Sequence, residues 1–150
     1  NMYWPRDNFD LKSSHVLPAL IRKVHEAKES ASRNVEVWGS GKPLREFLYV
    51  DDLARAIAHC LENVNARDIY SKGISHMNCG SEDEVSILKL AHLIKKVVGY
   101  QGEVVFDAEK PDGTYRKKMN NTQLRNIGFS AKTNLEQGLK KTYAWYLENK

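Results

Sequence analysis

Val35-Glu36-Val37-Trp38-Gly39-Ser40-Gly41-Lys42-Pro43-Leu44-Arg45-Glu46-Phe47-Leu48-Tyr49-Val50-Asp51-Asp52 is the stretch that decides the fold class. Val35–Trp38 reads as a short strand, Gly39–Pro43 as a turn and Glu46–Val50 as a second strand. Two such runs around a glycine-rich turn are expected to pair as a hairpin. Asp51 and Asp52 follow at once and can cap a helix over about Leu53–Asn63. Ala54, Ile57, Ala58 and Leu61 give that helix an apolar face. Strands and helices alternate at short range, so the class is α/β, or α+β if the strands segregate.

The same alternation continues in both directions. Upstream, Asn1–Ser14 is rich in turn and cap formers, and a helix is expected from about His15 to Lys28 with Ser14 as its cap. Pro18 lies in its first turn, where a missing N–H costs little. Leu20, Ile21, Val24 and Ala27 form its buried stripe. Downstream, His76–Cys79 and Glu103–Phe106 read as strands. Ser86 or the acidic run before it caps a helix to about Val98 that stops at Gly99, with Ile87, Leu90, Ala91, Ile94 and Val97 inward. Lys110–Gly113 is a turn, Asn121–Asn126 a short helix and Leu135–Leu147 a final one. There is no internal repeat and no low-complexity segment, so residues 1–150 are expected to form one domain.

Composition narrows the partners. Twenty-three Lys and Arg against 19 Asp and Glu give a net charge of +4, which suits an anionic small molecule such as a nucleotide diphosphate. The basic residues are scattered and form no nucleic-acid reader motif. No apolar run is long enough for a membrane span, and no signal peptide is expected, since Asn1–Asp10 has no apolar stretch of the kind one carries. A first residue other than Met is expected of a fragment, a processed chain or a trimmed one. Cys60 and Cys79 read as small buried hydrophobes in a reducing, cytoplasmic setting. The five histidines make no HxH or HxxxH pair, so no metal site is expected.

A dinucleotide-binding fold starts with a strand, a glycine-rich turn and a helix. The only Gly-x-Gly here, Gly39-Ser40-Gly41, runs into Pro43 and a strand, so it reads as a turn. The chain is also expected to lack the Tyr-x-x-x-Lys pair of nucleotide-dependent reductases. No Walker, nucleophile-elbow or zinc motif occurs.

Several segments together resemble the GDP-L-fucose synthase family of extended short-chain dehydrogenase/reductases. They are Asn1–Phe9, Ser14–Lys23, Val37–Phe47, Val50–Ala54, Lys110–Thr114 with Arg116-Lys117, and Thr142–Asn149. They follow the family's order along nearly the whole chain. The Arg-x-Phe-x-x-Val-x-Asp segment is shared with many nucleotide-sugar epimerases, whereas Ser-His-Val-x-Pro and Lys-Pro-Asp-Gly-Thr are closer to fucose synthase. The resemblance implies the C-terminal, substrate-binding half of such an enzyme, with the full Rossmann domain missing. It implies a parent reaction in which GDP-4-keto-6-deoxymannose is epimerised at C3 and C5 and then reduced by NADPH. The half alone is expected to be inactive and to bind no NADP. Its partners would be a GDP-sugar, a missing N-terminal half, or copies of itself. A fragment of another nucleotide-sugar epimerase and a stand-alone interaction module are the alternatives.

Residue by residue, the resemblance assigns His15 as the acid/base of epimerisation, which suits an imidazole titrating near neutrality. By chemistry alone, a histidine at a helix start is a cap or surface residue. Lys23, Arg45 and Lys117 match the cations that hold the GDP phosphates, and each also reads as an ordinary solvated charge. Trp38 matches a position lining the substrate, or else ends a strand in the core. Asn1 matches an asparagine near the nicotinamide. Trp4 departs from the family, which has glycine before Pro5.

Overall fold

The computed structural model describes residues 1–150. The first element is β1 (Met2–Tyr3), followed by helix α1 (Val16–Glu29). Next come β2 (Asn34–Trp38), β3 (Leu44–Glu46) and β4 (Leu48–Tyr49). Helices α2 (Val50–Asn63) and α3 (Ala66–Tyr70) lead to β5 (Glu84–Ser86) and α4 (Ile87–Val98). The chain closes with β6 (Glu103–Asp107), β7 (Arg116–Lys117), α5 (Thr122–Asn126) and α6 (Leu135–Asn149). The class is mixed α/β, in agreement with the sequence.

The strands form three small sheets. β2 pairs in parallel with β6, Val35 opposite Val104. β3 lies between antiparallel β5 and parallel β7. β1 and β4 form a parallel pair of two residues each. The expected hairpin between Val35–Trp38 and Glu46–Val50 does not form. The turn glycines adopt φ of +86° and +73° at Gly39 and Gly41, which sends the chain away from β2 into a different sheet. A Cβ at Gly41 would lie 2.7 Å from the Phe106 ring, so this turn is packed against β6. His76–Cys79, expected as a strand, has no ladder partner in the chain and remains irregular.

The core lies between α1, α4 and α6 and one face of β2. Val35 and Val37 alternate inward from β2, as a half-buried strand requires. Leu20, Ile21, Val24 and Ala27 of α1 are buried, as the helical spacing predicted. Leu90, Ala91 and Ile94 of α4 face them. The caps differ in detail. His15, not Ser14, is the N-cap of α1, and its side chain makes no capping bond. Ser86 caps α4 by accepting the Lys89 N–H, and Gly99 ends it in the left-handed conformation. Asn134 and Gln137 close a capping box at α6. Asp51 and Asp52 sit inside the first turn of α2 rather than before it.

Two contacts lock α6 to the start of the chain. Gly138 lies so close to Tyr3 that a Cβ would be 2.7 Å from its Cζ. Asp52, with no exposed surface, accepts the N–H groups of Lys132 and Thr133 at 2.9 Å each and pairs with Arg55. Burial pushes the Asp52 carboxyl up, but the Lys132 and Thr133 N–H bonds, the Thr133 side chain and Arg55 outweigh it and hold it below the usual range.

Two outcomes follow from these contacts. Gly138→Ala is expected to lose about 2 kcal/mol of stability despite alanine's helix preference, because the added methyl overpacks against Tyr3. A neutral or raised thermal midpoint would contradict the close packing. Asp52→Asn is expected to cost about 3 kcal/mol by chemical denaturation at neutral pH. Because the folded-state value is depressed, the wild-type advantage is complete above the ordinary carboxylate range. It shrinks as pH falls through the lowered value. A pH-independent difference between the two proteins would contradict the assignment.

Candidate functional site

Three of the residues singled out in the sequence meet in one groove of about 450 Å³: Lys23 from α1, Trp38 at the end of β2 and Arg45 on β3. Its floor is apolar, with Leu20, Val37 and Ile87. Polar groups converge on an otherwise apolar cleft, the usual composition of a small-molecule site. Trp38 is 64% exposed, so it is not a core residue. The Lys23 Nζ lies 5.1 Å from the centre of its ring and the Lys110 Nζ 5.9 Å. An indole held among ammonium groups offers a π-face and local positive charge together.

Lys117 does not line the groove, but β7 sets it directly opposite Arg45 in parallel register. Cross-strand partners share a face of the sheet, and like charges there repel. None of the salt bridges in the structure uses Lys23, Arg45 or Lys117. Lys23 and Arg45 donate to the Glu36 and Leu44 carbonyls, at 3.4 and 2.7 Å, and no acid neutralises any of the three. Asn1 adjoins the same strand, donating from Nδ2 to the Glu46 carbonyl at 2.9 Å. His15 is exposed at the start of α1, between groove residues Ser14 and Val16, and does not line the groove itself.

Asp112 belongs to the Lys110–Gly113 turn and has no role assigned by the sequence. It lines the groove and accepts from the Ser40 N–H at 2.8 Å and the Ser40 hydroxyl at 2.6 Å. The Ser40 hydroxyl and N–H hold its carboxyl below the usual range. It thereby ties the 110–113 segment to the β2–β3 turn across the mouth of the groove. The sequence signal was the Lys-Pro-Asp-Gly-Thr segment, whose partner in space could not be read from spacing.

The expected absence of a Tyr-x-x-x-Lys pair needs correction, because Tyr146 is followed by Lys150 at that spacing. The pair lies at the end of α6, not in the groove. Tyr146 is buried edge-on to His25 and against Phe9, and Lys150 approaches the His25 Nε2 at 2.8 Å. Burial raises the Tyr146 phenol, the opposite of what a proton donor at neutral pH needs. Gly39 and Gly41 are taken up by the β2–β3 turn and present no helix N-terminus. Gly39-Ser40-Gly41 is therefore a strand-to-strand turn and not a phosphate-binding one. No cluster of His, Cys, Asp and Glu is arranged to hold a metal ion. Both cysteines are free thiols, and no helix is long and apolar enough to cross a membrane.

A second groove, of about 490 Å³, is mainly apolar and lies along α2. Ile57, Leu61 and Tyr70 stand at or beside it with more than half of their surface exposed. Cys60 and Cys79 line it too.

Parallel strand pairs with helices laid on them frame a groove lined by cations from α1 and β3. Residues 1–80 match the model of the NAD dependent epimerase/dehydratase family, and the chain belongs to that family of extended short-chain dehydrogenase/reductases. It is 52% identical over 149 residues to a probable GDP-L-fucose synthase of Oryza sativa subsp. japonica, covering 99% of this chain and 43% of that protein. It is 48% identical to the GDP-L-fucose synthase of Escherichia coli K12, covering 99% and 47%. A GDP-L-fucose synthetase structure from Naegleria fowleri superimposes with a TM-score of 0.87 at 38% identity, over 99% of this chain and 44% of that one. A GDP-6-OMe-4-keto-L-xylo-heptose reductase from C. jejuni gives 0.91 at 32%, over 100% and 52%. The chain spans about half the length of the relatives it matches.

Asp112→Ala is expected to free the 110–113 segment and raise amide exchange at Ser40 by about tenfold, the effect of losing one charge-assisted bond. Unchanged exchange would mean that Asp112 does not organise the mouth.

Proposed function

We propose that residues 1–150 act as the GDP-sugar-binding half of a GDP-L-fucose synthase-like epimerase/reductase. The observation that carries this reading is a set of cations without an acidic partner: Lys23 and Arg45 in the groove of the exposed Trp38, and Lys117 opposite Arg45 on β7. A diphosphate needs fixed positive charge, and the Arg45 guanidinium can grip it with two parallel hydrogen bonds. A nucleoside base can lie on the Trp38 ring. Relatives named for GDP-linked sugars support guanine as that base.

In the parent reaction, proton removal beside a ketone gives an enolate, whose charge the nearby cations stabilise. His15 is the acid/base in this reading. It is exposed, and only its carbonyl is engaged, accepting the Ala19 N–H at 3.1 Å, which leaves the ring open to a bound sugar and to proton exchange with water. NADP serves the intact enzyme as hydride source, and Asn1 is assigned to its side of the site. This chain by itself binds GDP-sugar without turnover. The apolar face of α2 is then the surface that a cofactor-binding half covers, since an exposed patch of this kind marks an interface. A cytoplasmic setting belongs to the same proposal.

Calorimetric titration with GDP-L-fucose is the test, with UDP-glucose as control. Selective binding of the GDP-sugar, weakened at least about tenfold by Arg45→Ala, is the expected result. Equal binding of UDP-glucose would move the assignment to another nucleotide-sugar epimerase. No binding of either by folded protein would refute it in favour of a non-catalytic interaction module.

A further inference from the structure

Glu46 follows Arg45 on β3, so its side chain leaves the opposite face of the strand. It is 2% exposed and has no cationic partner among the salt bridges. A buried carboxylate without a cation must be satisfied by other donors. Here they are two backbone amides from distant segments. Oε1 accepts the Glu82 N–H at 2.7 Å, and Oε2 accepts the Met119 N–H at 2.9 Å.

Both segments are built around this carboxylate. Glu82 is held at φ +65°, a left-handed conformation that a residue with a side chain adopts at a cost. A Cβ at Gly80 would lie 2.8 Å from Oε1, so only glycine leaves room for it. The Glu82 turn leads into β5, and Met119 lies two residues beyond Lys117 on β7. β5 and β7 are the two neighbours of β3. One side chain thus fixes the entry of one flanking strand and the exit of the other.

On the facing side, Arg45 and Lys117 sit opposite each other with no acid between them. Their repulsion tends to part β3 from β7. The Met119 amide bond to Glu46 resists that separation from behind. We propose that Glu46 is a positioning residue for the diphosphate site, holding Arg45 and Lys117 at the spacing an anion can bridge. This rests on the reading of the groove as a GDP-sugar site.

Glutamine is the informative replacement. It has the same shape but one acceptor and one NH2 group, which would face a backbone N–H. Titrations of wild type, Glu46→Gln and Gly80→Ala with GDP and with guanosine, followed by NMR, form the test. Gly80→Ala crowds the same carboxylate without removing it, and so covers the case in which Glu46→Gln does not fold. Either variant is expected to weaken GDP by about tenfold while guanosine affinity stays within about twofold, the size of a lost charge-assisted bond. A merely structural defect would lower both ligands together, and that result overturns the inference. So does GDP affinity equal to wild type in a folded variant. Wild type that binds no GDP overturns the reading of the groove itself, and this inference with it.

Discussion

The arrangement depends on one buried carboxylate, Asp52. It lies in the first turn of α2, immediately after β4, and holds the backbone of Lys132 and Thr133. That bond starts α6 in the right place, and α6 then closes over Tyr3 through Gly138. The two-residue β1–β4 pair is too small to be stable by its own hydrogen bonds. It persists because Tyr3 and Tyr49 are buried in the core that α6 completes. Without a carboxylate at 52, the N–H groups of 132 and 133 would be left without this partner beside an apolar core.

The site takes its geometry from the same economy of short elements. The strand that buries Val35 and Val37 turns Glu36 and Trp38 the other way, and so the indole faces outward. The strand that buries Glu46 turns Arg45 to the groove. Alternation along a strand thus produces an anchored face and a reactive face from adjacent residues. The core and the groove are not separate designs, since each strand contributes to both.

Local features were legible in the sequence. The buried stripe of α1, the Ser86 cap, the Gly99 stop and the β6 strand depend on neighbours within a few residues, where periodicity and capping chemistry act. Pairing was not legible. The expected hairpin failed because the left-handed turn at Gly39 and Gly41 sends β3 to β5 and β7, which lie far along the chain. His76–Cys79 has a strand's composition but no partner strand, so propensity alone does not make it one. For the groove, the resemblance named Lys23, Trp38 and Arg45, and the structure brings those three together. The roles of Asp112 and Glu46 lie in backbone amides of remote segments, which leave no mark in local spacing.

The parallel pairing of β2 with β6 also has a consequence in time. Val35 and Val37 leave the ribosome well before Val104 and Phe106, their register partners. Until α4 emerges, the apolar face of the nascent α1–β2 segment has nothing to close on it, and the edge of β2 waits longer still for β6, a condition that favours capture by chaperones or by other nascent chains.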